Sequence, residues 1–133
     1  MANALYPKWK EQLLQFTANN NLSAGTVKAA LVTAGYTYSS AHQFYSSASA
    51  SAVGTPQTLG TKTFTNGVFD AADVTYTAVT GSQATGIVIY VDTGTTTTSP
   101  LVAYIDTGVT NLPVTPNGGD INIVWNASGI FAL

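Results

Sequence analysis

Val88-Ile89-Tyr90-Val91-Asp92-Thr93-Gly94 and Val102-Ala103-Tyr104-Ile105-Asp106-Thr107-Gly108 share the pattern Val-x-Tyr-Val/Ile-Asp-Thr-Gly, fourteen positions apart. The apolar runs 87–91 and 101–105 are unbroken, which predicts central strands covered on both faces. A solenoid needs at least three repeats, so two copies mark neighbouring strands with equivalent endings, joined by the loop 95–100.

Outward from this pair, the chain keeps reading as strands. Residues 26–33 form a largely apolar strand. Residues 59–65 and 68–69 flank Asn66-Gly67, the strongest short hairpin signal present. Val74, Tyr76 and Ala78 alternate with Thr75 and Thr77, as a one-sided strand does. Asn117-Gly118-Gly119-Asp120 is a turn, residues 121–125 alternate, and residues 130–133 are placed to close the last hairpin. Residues 35–52 read as a long polar and aromatic loop, with one helical turn at 41–45. The expected fold is mainly β: a single β-sandwich or barrel-like domain of seven to eight short strands.

The exception is residues 7–18, read as a helix. Pro7 suits its first turn, and Trp9, Leu13 and Phe16 recur at i, i+4 and i+7. Asn19-Asn20-Asn21 then ends it, because Asn tolerates the left-handed conformation. Residues 1–24 are therefore expected to form a helical arm before a β-sandwich at 25–133. Tyr6, Trp9, Leu13 and Phe16 are candidates for a protein interface, against the alternative that the stripe seats the helix on its own sheet.

Composition narrows the function. Only 8% of the 133 residues are charged, against about 25% in ordinary domains. There is no Arg, and the four basic residues are Lys8, Lys10, Lys28 and Lys62. A nucleic-acid partner would need a basic stripe to displace phosphate counterions, so none is expected. No apolar stretch approaches the ~20 residues of a membrane helix, and residues 1–11 lack the apolar core of a secretory peptide. The expectation is synthesis as a soluble protein with no membrane partner. With no Cys, disulfides, thiolate metal sites and cysteine nucleophiles are excluded.

Three groups invite a chemical reading. Two Asp-Thr-Gly triplets, at Asp92 and Asp106, resemble those of aspartic proteases, which need two aspartates sharing one proton. The short spacing leaves no room for two lobes, and the structural reading is a strand-ending turn. Asp70 and Asp73 alone lack the six or more oxygens that calcium takes. His42, the single histidine, has no Gly-x-Ser-x-Gly nucleophile to serve. No catalytic residue, metal ligand or cofactor is expected, and the protein is read as a non-enzyme.

Five blocks together resemble a family of small virion proteins of tailed bacteriophages. They are Ala-Leu-Tyr-Pro-Lys (4–8), Thr-Val-Lys-Ala-Ala-Leu-Val (26–32), Tyr-Thr-Tyr-Ser-Ser-Ala-His-Gln-Phe (36–44), Ser-Pro-Leu-Val-Ala-Tyr-Ile-Asp-Thr (99–107) and Leu-Pro-Val-Thr-Pro-Asn-Gly-Gly-Asp-Ile (112–121). The resemblance implies a structural part of the particle. Head decoration (cement) comes first, a neck or tail adaptor next, with the major capsid protein or another virion protein as partner. It brings no catalytic residues. Assembly in the host cytoplasm into the virion follows, and sparse charge favours homo-oligomers, with a trimer expected. A host-glycan-binding module, using Tyr36, Tyr38 and Tyr45 as stacking platforms, is the alternative of another class.

Overall fold

A computed structural model describes residues 3–133. In chain order the elements are β1 (Ala4–Leu5), α1 (Pro7–Leu14), β2 (Thr26–Thr33), β3 (Ala52–Thr58), β4 (Val68–Phe69), β5 (Val74–Tyr76), β6 (Ala84–Asp92), β7 (Leu101–Ile105), β8 (Ile121–Ile123) and β9 (Phe131–Ala132). Short 3-10 turns occupy Tyr45–Ser47, Ser49–Ser51 and Thr65–Gly67.

The fold is mainly β and antiparallel. β6 and β7 lie side by side, Ile87 opposite Ile105 and Ile89 opposite Ala103. They sit inside a five-stranded sheet of order β1-β7-β6-β2-β3. Every residue of β7 is buried, as are Gly86 to Val91 of β6, because both faces are covered. The ladders β5-β8 and β4-β9 form the rest of a sandwich-like arrangement that does not close into a barrel. Tyr76 on β5 reaches across the core and donates its hydroxyl proton to the Ala29 carbonyl at 2.7 Å. A close approach fixes one glycine: a Cβ on Gly86 would lie 2.6 Å from the Tyr104 hydroxyl oxygen and 2.9 Å from two of its ring carbons. The Tyr104 ring occupies the space that a Cβ there would need.

Several details depart from the expected pattern. Nine strands are present among the described residues. Residues 59–65 are not a strand. β2 pairs with β6 on one edge and with β3 on the other, and β3 was masked in the sequence by Pro56 and by Gly54, which takes φ +69. Asn66 and Gly67 do adopt positive φ, 55° and 77°. Yet they do not join a two-residue hairpin: the flanks meet only at the Thr63–Asp70 bridge, and β4 pairs with β9. β9 therefore closes on β4 rather than on β8, whose partner is β5. Ala78 is exposed with φ 50, and Val79 takes the inward position. The helical turns of the long loop come later than 41–45, in the Ser-rich run.

The N-terminal segment is stitched to the sheet. β1 adds to the free edge of β7, pairing Ala4 with Tyr104 and Leu5 with Ala103. The Tyr6 amide then donates to the Val102 carbonyl at 3.0 Å, and Tyr6 and Trp9 belong to the core at 0% and 2% exposure. The helix stops at Leu14, four residues before the expected end. No helix among the described residues is long and apolar enough to cross a membrane.

Candidate functional site

The end of α1 builds the most distinctive surface. The Thr17 amide donates to the Gln12 carbonyl at 3.1 Å and the Phe16 amide to Leu13 at 3.2 Å. These two bonds are the Schellman closure, in which the residue after the C-cap turns left-handed. Glycine ordinarily fills that position because it carries no Cβ. Here Phe16 fills it, at φ 52, and its side chain is 96% exposed. The regular stripe predicted through Trp9, Leu13 and Phe16 is broken there.

The following turn folds back beneath the helix. Asn20 is buried, its amide nitrogen donating to Thr17 Oγ1 at 2.8 Å and to the Ala18 carbonyl at 2.9 Å. Asn21 Oδ1 accepts the amides of Ser23 and Ala24. Lys62 reaches in from the far side and donates to the carbonyls of Leu22 at 2.7 Å and Gly25 at 2.9 Å. One of the four cations is thus spent on clamping this turn.

Between the helix end, the clamped turn and the C-terminal strand lies a groove of about 380 Å³. Leu13, Phe16, Leu22, Phe64 and Leu133 supply its apolar walls, and no charged side chain lines it. Trp9 lines it too, packed edge-on against Phe131 with ring centres 5.8 Å apart. Phe131, Phe69 and Phe64 continue this aromatic chain. The indole nitrogen of Trp9 and Oδ1 of Asn20 are buried without a hydrogen-bond partner in the protein.

Of the four candidate interface residues, Trp9, Leu13 and Phe16 line this groove and Tyr6 does not. Leu13 is half-buried and Phe16 open, whereas Tyr6 and Trp9 are held in the core. Phe64, Leu22 and Leu133 escaped the sequence reading. Leu22 and Phe64 are isolated apolar residues between polar neighbours, and Leu133 ends an apolar run that reads as a strand. The one available signal was a missing glycine after Leu14.

The aspartates among the other chemical candidates lie at the ends of strands. The antiparallel register sends β6 and β7 in opposite directions, so Asp92 and Asp106 leave opposite ends of the pair. The strand between Ile87 and Asp92 alone spans roughly 17 Å, so no proton can be shared. Asp92 Oδ2 pairs with Lys28 at 2.8 Å, while Oδ1 accepts the Gly94 amide at 2.9 Å. The Lys28 hydrogen bond, aided by that amide, holds the Asp92 carboxyl below its ordinary value. Near Asp106, the backbone amides of Asp106 and Thr107 are capped by Asn3 Oδ1. Asp70 caps the Ala71 amide and Asp73 the Trp125 amide. No group of three or more metal-ligating side chains gathers among the described residues.

A tyrosine network gathers around Tyr6 and Tyr36. Tyr6 and Tyr36 hydroxyls meet at 2.6 Å, and Tyr36 meets His42 Nδ1 at 2.9 Å. Burial pushes Tyr6 well above the ordinary phenol value and raises Tyr36 as well. A second concavity, about 420 Å³, is lined there by Tyr36, Tyr38, Tyr104, Gln83 and Asp106. Tyr45 is not part of it. Its ring is stacked on Tyr90 at 3.9 Å and 4°, so the three-tyrosine platform is not assembled.

No protein-family model and no curated protein matches this chain.

Proposed function

We propose that this protein is a non-enzymatic structural component of a tailed-phage virion, with decoration of the head as its place. The observation that carries the reading is the open apolar groove of Leu13, Phe16, Phe64 and Leu133 on a molecule with only 8% charged residues. Exposed apolar patches rimmed by polar residues mark protein–protein contacts. A decoration protein works by adding buried area across joints between capsid subunits, so that internal pressure must break more contacts. The sequence resemblance to small virion proteins points the same way. The carboxylates of Asp70, Asp73 and Asp92 are engaged in caps, turns and one ion pair, which suits a building block.

The test is co-sedimentation of the purified protein with empty capsids, followed by its location in a reconstructed particle. Stoichiometric binding to the head lattice is the expected result. Binding confined to the neck or tail would assign the adaptor role instead. The glycan reading has one observation of its own, the concavity where Tyr38 stands beside Gln83 and Asp106. Binding of the isolated protein to cell-surface saccharide, lost on Tyr38→Ala, would favour it.

A further inference from the structure

We infer that the Phe16 groove is a self-interface, in which Phe16 of one copy enters the groove of a second copy of this chain. This deepens the structural reading above and rests on it for biological context.

The argument begins with an apparent misfit. The C′ position of a Schellman closure demands positive φ, and a bulky aromatic there is an outlier rather than a routine choice. Glycine would close α1 with less strain. Within one molecule Phe16 gains nothing in return, since its side chain is 96% exposed. Strain at a position the fold does not need is a pointer to function. What the left-handed turn does accomplish is to leave the ring in water at the edge of the groove that it lines.

The groove can receive such a ring. Its volume, about 380 Å³, exceeds the ~150 Å³ apolar cavity known to take up benzene. Its walls, Leu13, Leu22, Phe64 and Leu133, are apolar and its rim residues Gln12, Thr17 and Asn21 are polar but neutral. The residues lining the groove of a second copy therefore bring no charged side chain against it. The formal net charge of −2 adds only weak repulsion between copies.

Area sets the strength. Phe16, Leu133 and Phe64 are 96%, 71% and 44% exposed. Together they leave roughly 400 Å² of apolar surface in water, a Phe alone carrying ~150–250 Å². That lies within the range for the largest patch on a monomer. It is about half of the ~800 Å² per partner of a standard specific interface, so the association expected is weak and concentration-dependent. Knob and groove lie on the same patch, so reciprocal insertion about a two-fold axis satisfies both copies at once.

The experiment is sedimentation velocity of the full chain over a concentration series, without capsids, for wild type, Phe16→Gly and Leu133→Asp. Concentration-dependent association of the wild type is expected, with both variants sedimenting as monomers. Thermal melts at concentrations where all are monomeric supply the second readout. Phe16→Gly should melt at the wild-type temperature or above, since it relieves a positive-φ aromatic, whereas a role in the chain's own core would lower it. A wild type that stays monomeric to its solubility limit overturns the self-interface, as does Phe16→Gly protein that associates undiminished. Capsid binding by the same proteins separates the two readings. If Phe16→Gly loses capsid binding while the wild type never self-associates, the patch belongs to the capsid contact and the self-interface fails. If association is lost but capsid binding persists, the self-interface stands and the capsid contact lies elsewhere.

Discussion

The centre of the sheet and the end of the helix use the same apolar residue types with opposite outcomes. Ile87, Val88, Ile89 and Leu101 are completely buried, whereas Leu14 and Phe16 are 86% and 96% exposed. The difference lies in how many elements arrive to cover them. β6 has hydrogen-bonded neighbours on both edges and packed layers on both faces. The helix end meets a clamped turn on one side and open water on the other. Hydrophobicity alone says that a side chain gains by being covered. Topology decides whether its own chain covers it, and what is left over is available to another molecule.

The largest way to break the centre is alkali. All seven tyrosines are shifted above the ordinary phenol value, burial being the leading cause at each. None of them lines the Phe16 groove. For an acid whose folded value is raised, the unfolded chain ionises first. Stability is therefore complete below pH ~10, the value of a free tyrosine, and is lost as pH climbs from there toward the folded values. Unfolding between about pH 10 and 12 should be cooperative, with tyrosinate absorbance and loss of sheet circular dichroism coinciding. Gradual ionisation ahead of unfolding would mean that the tyrosines are less sealed than their burial implies.

Truncation should then separate the two regions directly. Ile89→Ala removes a fully buried side chain from β6 and should cost about 2–5 kcal/mol. Leu14→Ala removes the same kind of carbon from water and should stay within about ±0.5 kcal/mol. Urea denaturation of both variants tests this. Equal losses would mean that the helix end is covered after all. Gly86→Ala comes next, because the added methyl must displace the Tyr104 ring. Overpacking of this kind costs about 1–3 kcal/mol.

How legible each region was follows from the same contrast. The strand at residues 26–33 was readable to the residue, and the runs 87–91 and 101–105 lie within the observed β6 and β7, because a strand buried on both faces writes its burial into consecutive letters. β1 was not legible, since two residues carry no alternation. β3 was hidden by Gly54 and Pro56, whose ordinary meaning is turn. The groove was illegible for a deeper reason: Leu13, Leu22, Phe64 and Leu133 are far apart in sequence and share no period. Phe16 was misplaced because i+7 spacing describes a helix that continues, and the Schellman bonds end this one at Leu14.

A small effect is also expected where the centre meets water, at the end of β6. Asp92 and Lys28 are about a quarter exposed, so solvent screens much of their attraction and the pair should contribute about 1 kcal/mol or less. Its signature is pH rather than size. The folded Asp92 carboxyl is held below its ordinary value, first by Lys28 and then by the Gly94 amide. A depressed carboxyl stabilises the fold above its unfolded value, near pH 4, and that contribution disappears as pH falls through the folded one. Asp92→Asn keeps an acceptor for the Gly94 amide but abolishes the titration. The variant should be slightly less stable than wild type at pH 7, and the gap should close by about pH 2. Lys28→Met should produce the same convergence if the ion pair is the cause. If the Asp92→Asn gap is undiminished in acid, the loss comes from altered turn geometry, and the edge of the sheet owes nothing to charge.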